Sequence, residues 1–297
     1  MVTLRPCELI FTLRMTSLGI DVGGTSVKAA ALSDGTITWT ARSDPYHRPS
    51  FQQLAAAIAQ AAARAGGAVD RIGLCVPGIP DASRQRIVYA ANMPALHEVS
   101  LHELIQASIG ASAPAPIVVN DANATGFDIY STRKPTGRLL VIAIGAGVGA
   151  SVIDDGKPLF VEGDSAGHVG QMDISIEGVP VVGPDGGAGG LEGYIGASAL
   201  RTYYGSNPAG KIRPGDPAFA AIVKLIRVCH AFYRPQHIVL AGGLGIRLGH
   251  LLSDLRKGIE NRLTVLARKD WTIACGDSDF HAASGAARVA ASETWPD

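Results

Sequence analysis

The sequence predicts a chain of two α/β halves, on three observations. Short apolar runs turn back on themselves through Gly-rich tips at two places, DVGGTS in the first half and GAGVGAS in the second. Stretches of helical periodicity separate these runs, and one further short apolar run near the end leads into AGGLG. With 297 residues, 47% hydrophobic and 18% charged, the chain can bury a core in each half.

Taken in order, residues 18–20 read as a strand, Gly23-Gly24 as a turn that needs positive φ, and residues 27–32 as the returning strand. Residues 37–42, 71–76 and 117–119 continue the strand pattern, and the Ala-rich stretch 51–65 reads as a helix. The second half opens with strands over 139–144 and 150–153, followed by a Gly-rich region over 163–196. Helical pattern covers 191–204 and 217–233, strand 237–240 enters AGGLG, and 246–263 reads as another helix. The two similar openings suggest a duplication, and the Gly- and Pro-rich segment 205–217 is the expected surface loop.

Lys plus Arg and Asp plus Glu number 26 each, which leaves no electrostatic footprint for nucleic acid or an anionic membrane. The expected partner is a small molecule. Cys7, Cys75, Cys229 and Cys275 lack paired spacing, which argues against a disulfide framework or zinc knuckle and fits a reducing cytoplasm. No apolar run approaches the roughly 20 residues of a membrane helix. Residues 1–17 read as an N-terminal extension without a convincing signal peptide, and Met15 competes with Met1 as the start.

At the first hairpin tip, the N–H groups of Gly23, Gly24 and Thr25 can converge on an anion, with Asp21 close enough to take a hydrated Mg²⁺. Neither the Walker nor the dinucleotide spacing is present, and an ordinary hairpin is the alternative. Asn120-Asp121, directly after the apolar strand 117–119 and on what reads as a buried strand end, places an amide and a carboxylate where a hydroxyl can be oriented and deprotonated. The alternative is a helix cap, and Asn123 can either cap that helix or brace Asp121.

Five segments in order, DVGGTSVK (21–28), VVNDANATG (118–126), AIGAGVGAS (143–151), SAGHVG (165–170) and IVLAGGLG (238–245), resemble the ROK family of sugar kinases. The resemblance runs from about Leu18 to Ala291, where GAARVAA looks like that family's last connecting helix. It implies the actin-like (ribonuclease H-like) ATPase fold, two α/β domains around a cleft. Residues 18–125, joined by a returning helix over 282–297, would form the small domain and 126–281 the large one.

The implied activity is transfer of the ATP γ-phosphoryl group to a hexose hydroxyl, with glucose to glucose 6-phosphate first and N-acetylmannosamine or fructose as alternatives. A non-catalytic ROK-type sugar sensor is the competing class. By resemblance Asp21 meets Mg²⁺ mostly through water, and Gly23, Gly24, Thr25 and Lys28 face the phosphates. Gly145, Gly147 and Gly149 form a second phosphate loop, Gly242 and Gly243 press on the adenosine, and Asp121 is the catalytic base. Gly78, Asn120, Asp121, Ser165, His168 and Glu192 are the implied sugar-binding residues. ATP and Mg²⁺ are thus the implied cofactors, polyphosphate is an alternative donor, and a homodimer is an option.

The sequence departs from the family at two places. The zinc-binding pattern CxCGxxGCxE meets GPDGGAGGLE here, with Gly183, Asp185 and Gly190 at the cysteine positions, so no zinc is expected. Asp185 bonded to local amides is the expected substitute. Ser165 stands where the family usually has a glutamate, so the sugar is open, with Glu162 and Asp164 nearby as replacements.

Overall fold

The computed structural model describes residues 15–65, 69–90, 93–161, 166–265, 267 and 269–292. Ser165, with Glu162 and Asp164, lies outside these residues, as does most of the N-terminal extension.

Strands β1 (Thr16–Val22), β2 (Val27–Ser33) and β3 (Thr36–Arg42) form an antiparallel meander. Helix α1 (Phe51–Ala62) starts at a capping box made by Ser50 and Gln53 and buries Leu54, Ile58 and Ala61. Strand β4 (Arg71–Cys75) then pairs parallel with β1. A small antiparallel sheet follows, of β5 (Ile79–Pro80), β6 (Arg86–Tyr89) and β7 (Val99–Ser100). Helix α2 (Leu101–Ile109) leads to β8 (Pro116–Val118), parallel to β4, and to α3 (Asp121–Arg133).

The second half repeats the plan. Strands β9 (Arg138–Ile144), β10 (Val148–Asp154) and β11 (Lys157–Pro158) form another antiparallel meander. Helices α4 (Glu192–Ile195), α5 (Ala197–Tyr204) and α6 (Pro217–Tyr233) come next. Strand β12 (His237–Ala241) lies parallel to β9, followed by α7 (Gly242–Gly245) and α8 (Leu252–Glu260). Strand β13 (Thr272–Cys275) completes the sheet, and α9 (His281–Ala291) ends the described chain. The sheet orders β3-β2-β1-β4-β8 and β11-β10-β9-β12-β13 match position by position, meander first and two parallel strands after.

Helices α3 and α9 lie between the sheets, and glycines set how closely the layers stack. A Cβ on Gly19 of β1 would lie 1.9 Å from the Ala283 carbonyl oxygen, and one on Gly73 of β4 would lie 1.9 Å from that of Ala286, so α9 rests on the bare backbone of the first sheet. Gly285 of α9 meets the Ala124 carbonyl of α3 in the same way, and Gly126 of α3 meets Ser151 of β10. A buried cluster clamps the two helices: Asp128 accepts from His281 and from Arg288, both at 2.7 Å. The other face of each sheet carries a large apolar core, with Leu18, Ile20, Leu54 and Leu104 in the first and Leu140, Ile142, Leu225 and Leu240 in the second.

Four expectations need correction. Neither Gly23 nor Gly24 adopts positive φ, because the tip spans four residues and closes through a Gly23 N–H bond to the Ser26 carbonyl instead of a two-residue turn. The helix expected over 191–204 breaks at Gly196, whose ψ of 154° is extended and which starts α5. The helix expected from 246 begins at Leu252, after turns that bury Leu248 and Leu251. The strand end carrying Asn120-Asp121 is not deeply buried: Ile117 is 44% exposed on the edge strand β8, and Asp121 is exposed.

Candidate active site

The candidate residues gather at the C-terminal ends of the parallel strands, where open α/β sheets place ligands. Asp21 near the end of β1 is 8% exposed and stands in register with Lys28 on β2 and Cys75 on β4. Burial raises its carboxyl from 3.8 to about 6; Lys28 opposes the rise, while Asp121 and Asp279 add to it. Burial, reinforced by the same Asp21 and Asp121, holds the Cys75 thiol well above its usual range. Asp121 therefore stands near enough for its charge to act on both Asp21 and Cys75.

Tyr46 fixes the first tip. Its N–H donates to the Thr25 carbonyl at 2.8 Å and its hydroxyl to the Gly23 carbonyl at 2.6 Å. Since the Gly23 N–H goes to Ser26 at 3.1 Å, Gly24 and Thr25, both exposed, are the tip residues placed to meet an anion. The two tips approach each other, because a Cβ on Gly24 would lie 3.8 Å from the Ala146 Cβ.

Lys28 is held by acids. Its Nζ lies 3.5 Å from Asp21 Oδ2 and 3.2 Å from Asp279 Oδ1, and Arg42 pairs with the other Asp279 oxygen. Burial alone would raise the Asp279 carboxyl, but Lys28 and Arg42 keep it below its usual range. Sequence reasoning missed Asp279, which sits between β13 and α9; the only local signal is the acid pair Asp277 and Asp279 ahead of the last helix.

Asn120 caps α3, its Oδ1 accepting from the Ala122 and Asn123 N–H groups at 3.0 and 3.2 Å. Asn123 is therefore not the cap; it lies buried in the first turn. Asp121 Oδ1 accepts from Ala122 at 2.7 Å and lies 4.0 Å from where a Gly149 Cβ would stand, which brings the carboxylate beside the second hairpin. In that hairpin the Gly145 N–H donates to the Gly147 carbonyl, and the Gly145 carbonyl accepts from Ala197 of α5. Glu192 Oε1 accepts from the Val148 N–H at 2.7 Å.

Gly242 has φ +75°, and a Cβ there would lie 2.6 Å from the Ile144 carbonyl oxygen, so its packing explains the residue. Gly243 faces Asp279, with its ideal Cβ 3.3 Å from Oδ1. Gly78, at φ +118°, sits against Ile87, Tyr89 and Ala90 of the small sheet region. His168 is exposed just before the turn 169–171.

The loop with the three replaced cysteines closes by backbone. A Cβ on Gly190 would lie 3.0 Å from the Gly183 Cα, and Asp185 Oδ1 accepts from the Gly187 N–H at 3.1 Å. With glycines at two positions and no thiolate at the third, this donor set does not fit a tetrahedral zinc site. Asp21 does fit a hydrated Mg²⁺: a desolvated carboxylate with acids on both sides gains by facing a cation. Among the described residues no three His, Cys, Asp or Glu side chains form a direct ligand group, so such an ion would keep much of its water.

The profile of the ROK family matches residues 17–293. The chain belongs to the ROK family. The N-acetyl-D-glucosamine kinase of Escherichia coli O1:K1 / APEC is 26% identical over 283 residues, covering 84% of this chain and 91% of that one. A ROK family glucokinase from Streptomyces griseus, solved in complex with glucose and AMPPNP, superposes with a TM-score of 0.73 at 21% identity over 93% of this chain and 99% of that one. Lmo2764 from Listeria monocytogenes, a putative N-acetylmannosamine kinase, gives 0.68 at 18% identity over 93% and 98%. This ROK chain thus has the actin-like ATPase fold, which its two matching sheets display.

Proposed function

We propose that this ROK protein is an ATP- and Mg²⁺-dependent sugar kinase that phosphorylates a hexose or N-acetylhexosamine hydroxyl, with Asp121 as the base. The observation that carries the proposal is the approach of the two Gly-rich tips, with Asp121 beside the second and close enough for its charge to act on Asp21 beside the first. Phosphoryl transfer needs positioning, charge neutralisation and a proton acceptor, and each has a residue here. When bound at Asp21, Mg²⁺ supplies charge to neutralise the phosphates.

In this reading Gly24 and Thr25 bind phosphate from one side and the Gly145–Gly149 tip from the other, with Gly242 and Gly243 beside the nucleoside. The Asn120 cap leaves Nδ2 as the donor that meets a sugar oxygen, while Asp121 takes the proton of the attacking hydroxyl. Gly78, His168, Glu192 and Ser165 complete the sugar side. Lys28 reaches phosphate only by loosening its grip on Asp279. Residues 18–125 with the final helix close against 126–281 and exclude water from the transfer. The cytoplasm is the proposed compartment, and among the described residues no helix is long and apolar enough to cross a membrane.

Glucose and N-acetylglucosamine stand first as substrates, because a glucokinase and a curated N-acetylglucosamine kinase are among the relatives. N-acetylmannosamine and fructose follow. The sensor reading is not favoured, since binding alone requires neither Asp21 nor Asp121 in this arrangement. A coupled ADP-release assay over these four sugars is expected to show turnover with at least one. Asp121→Asn is expected to lower kcat by ~10²- to 10⁴-fold with the sugar KM changed only a few-fold. No sugar-dependent turnover in the wild type refutes the kinase reading, and a near-normal rate for Asp121→Asn refutes the base.

A further inference from the structure

Glu192 turns one carboxylate oxygen toward the second hairpin tip. Its Oε1 accepts from the Val148 N–H at 2.7 Å. Two glycines make room for that oxygen. A Cβ on Gly147 would lie 2.7 Å from Oε1, and one on Gly170 would lie 2.4 Å from it. Oε2 lies 3.9 Å from the same Gly147 position, so one carboxylate oxygen fills the cradle and the other stands farther from it.

The same short helix pair holds the other end of the tip, through the Ala197 N–H and the Gly145 carbonyl at 2.9 Å. Ala146 and Gly147 are thereby suspended between two anchors, with Ala146 facing Gly24 of the opposite hairpin. Gly170 follows His168 by two residues, so the cradle also joins the sugar-side segment to the phosphate-side tip.

We propose that Glu192 is a positioning residue for the phosphate-side tip: Oε1 sets the geometry of Gly145–Gly149, and Oε2 ties that geometry to sugar occupancy. The proposal rests on the kinase reading for what the tip binds, but the tether itself does not depend on any ligand. A residue serving only the sugar would alter sugar KM and leave sugar-free nucleotide binding unchanged.

The test measures Val148 amide exchange and Mg·ATP affinity without sugar in the full chain, for Glu192→Ala, Glu192→Asp and Glu192→Gln. Ala removes the acceptor and Asp keeps the charge but loses the reach, so both are expected to lose Val148 protection and weaken Mg·ATP binding about tenfold. Gln keeps an acceptor oxygen, so it is expected to hold both within about twofold of wild type while sugar KM rises. If Ala unfolds the protein, the Asp and Gln pair gives the same contrast. Wild-type protection and nucleotide affinity in Ala or Asp overturn the proposal, as does failure of Gln to restore them. Wild-type protein that binds no nucleotide overturns the kinase reading instead, and Val148 exchange then decides the tether alone.

Discussion

Asp21→Asn should make the protein more stable and inactive at once. Burial carries the Asp21 carboxyl from 3.8 to about 6, which at 1.36 kcal/mol per tenfold change amounts to ~3 kcal/mol of cost for keeping it ionised in the fold. Below about pH 3.8 folded and unfolded chains both hold the proton. Between 3.8 and about 6 the folded chain keeps a proton that the unfolded chain releases, so stability falls as pH rises, and above about 6 the loss is complete. Asparagine removes the charge but also the Lys28 contact at 3.5 Å, which Asp279 still offers to Lys28. The net gain at pH 7.5 is therefore ~1–3 kcal/mol, or ~2–12 °C in melting temperature at ~2–4 °C per kcal/mol. At pH 5 the wild-type penalty shrinks to about half, and so should the difference between the two melts. Activity should vanish because the cation loses its carboxylate, and wild-type activity should fall as pH drops through about 6. Thermal melts at pH 7.5 and pH 5 with the coupled assay decide the matter: a variant less stable than wild type at pH 7.5, or a gap that does not narrow at pH 5, refutes the reasoning.

Two further outcomes follow from single contacts. Tyr46→Phe removes the 2.6 Å bond to the Gly23 carbonyl, worth ~1 kcal/mol, and should raise nucleotide KM about fivefold with sugar KM unchanged in steady-state kinetics. Gly73→Ala puts a methyl 1.9 Å from the Ala286 carbonyl oxygen and should cost ~2 kcal/mol or more in urea unfolding, because backbone cannot step aside as a side chain can.

What was legible in the sequence is what lies close along the chain. The two hairpins, the parallel strands β4, β8 and β12 and the acids Asp21 and Asp121 all declare themselves within about ten residues, through alternation, turn glycines and strand-end placement. Pairings across the chain did not. Lys28 carries no mark that its partner Asp279 lies 251 positions away, and Glu192 carries none that Val148 will claim one of its oxygens. The glycines of the first tip were read for backbone freedom, yet their φ angles are ordinary. A Cβ on Gly23 would crowd the Ser26 carbonyl at 3.0 Å, whereas one on Gly24 would meet Ala146 of the opposite tip at an ordinary 3.8 Å, a neighbour absent from the local sequence. Strand β13 and the small sheet escaped notice because runs of two to four residues carry too little periodicity to separate from loops.

The width of the cleft then follows from the helices beneath it. Two tips on different sheets can face each other at van der Waals distance only if the layers between the sheets have a defined thickness, and those layers are α9 and α3. Gly19 and Gly73 seat α9 on the first sheet, Gly285 seats it on α3, and Gly126 seats α3 on the second, each through a contact that one methyl would prevent. The buried Asp128, His281 and Arg288 group locks the register of the two helices at the same level. Thickening that stack moves the Gly23–Thr25 tip away from Gly145–Gly149, although no residue of either tip has changed. Gly73→Ala should accordingly weaken nucleotide binding as well as stability, while leaving intact the Tyr46 and Glu192 anchors that hold each tip on its own sheet.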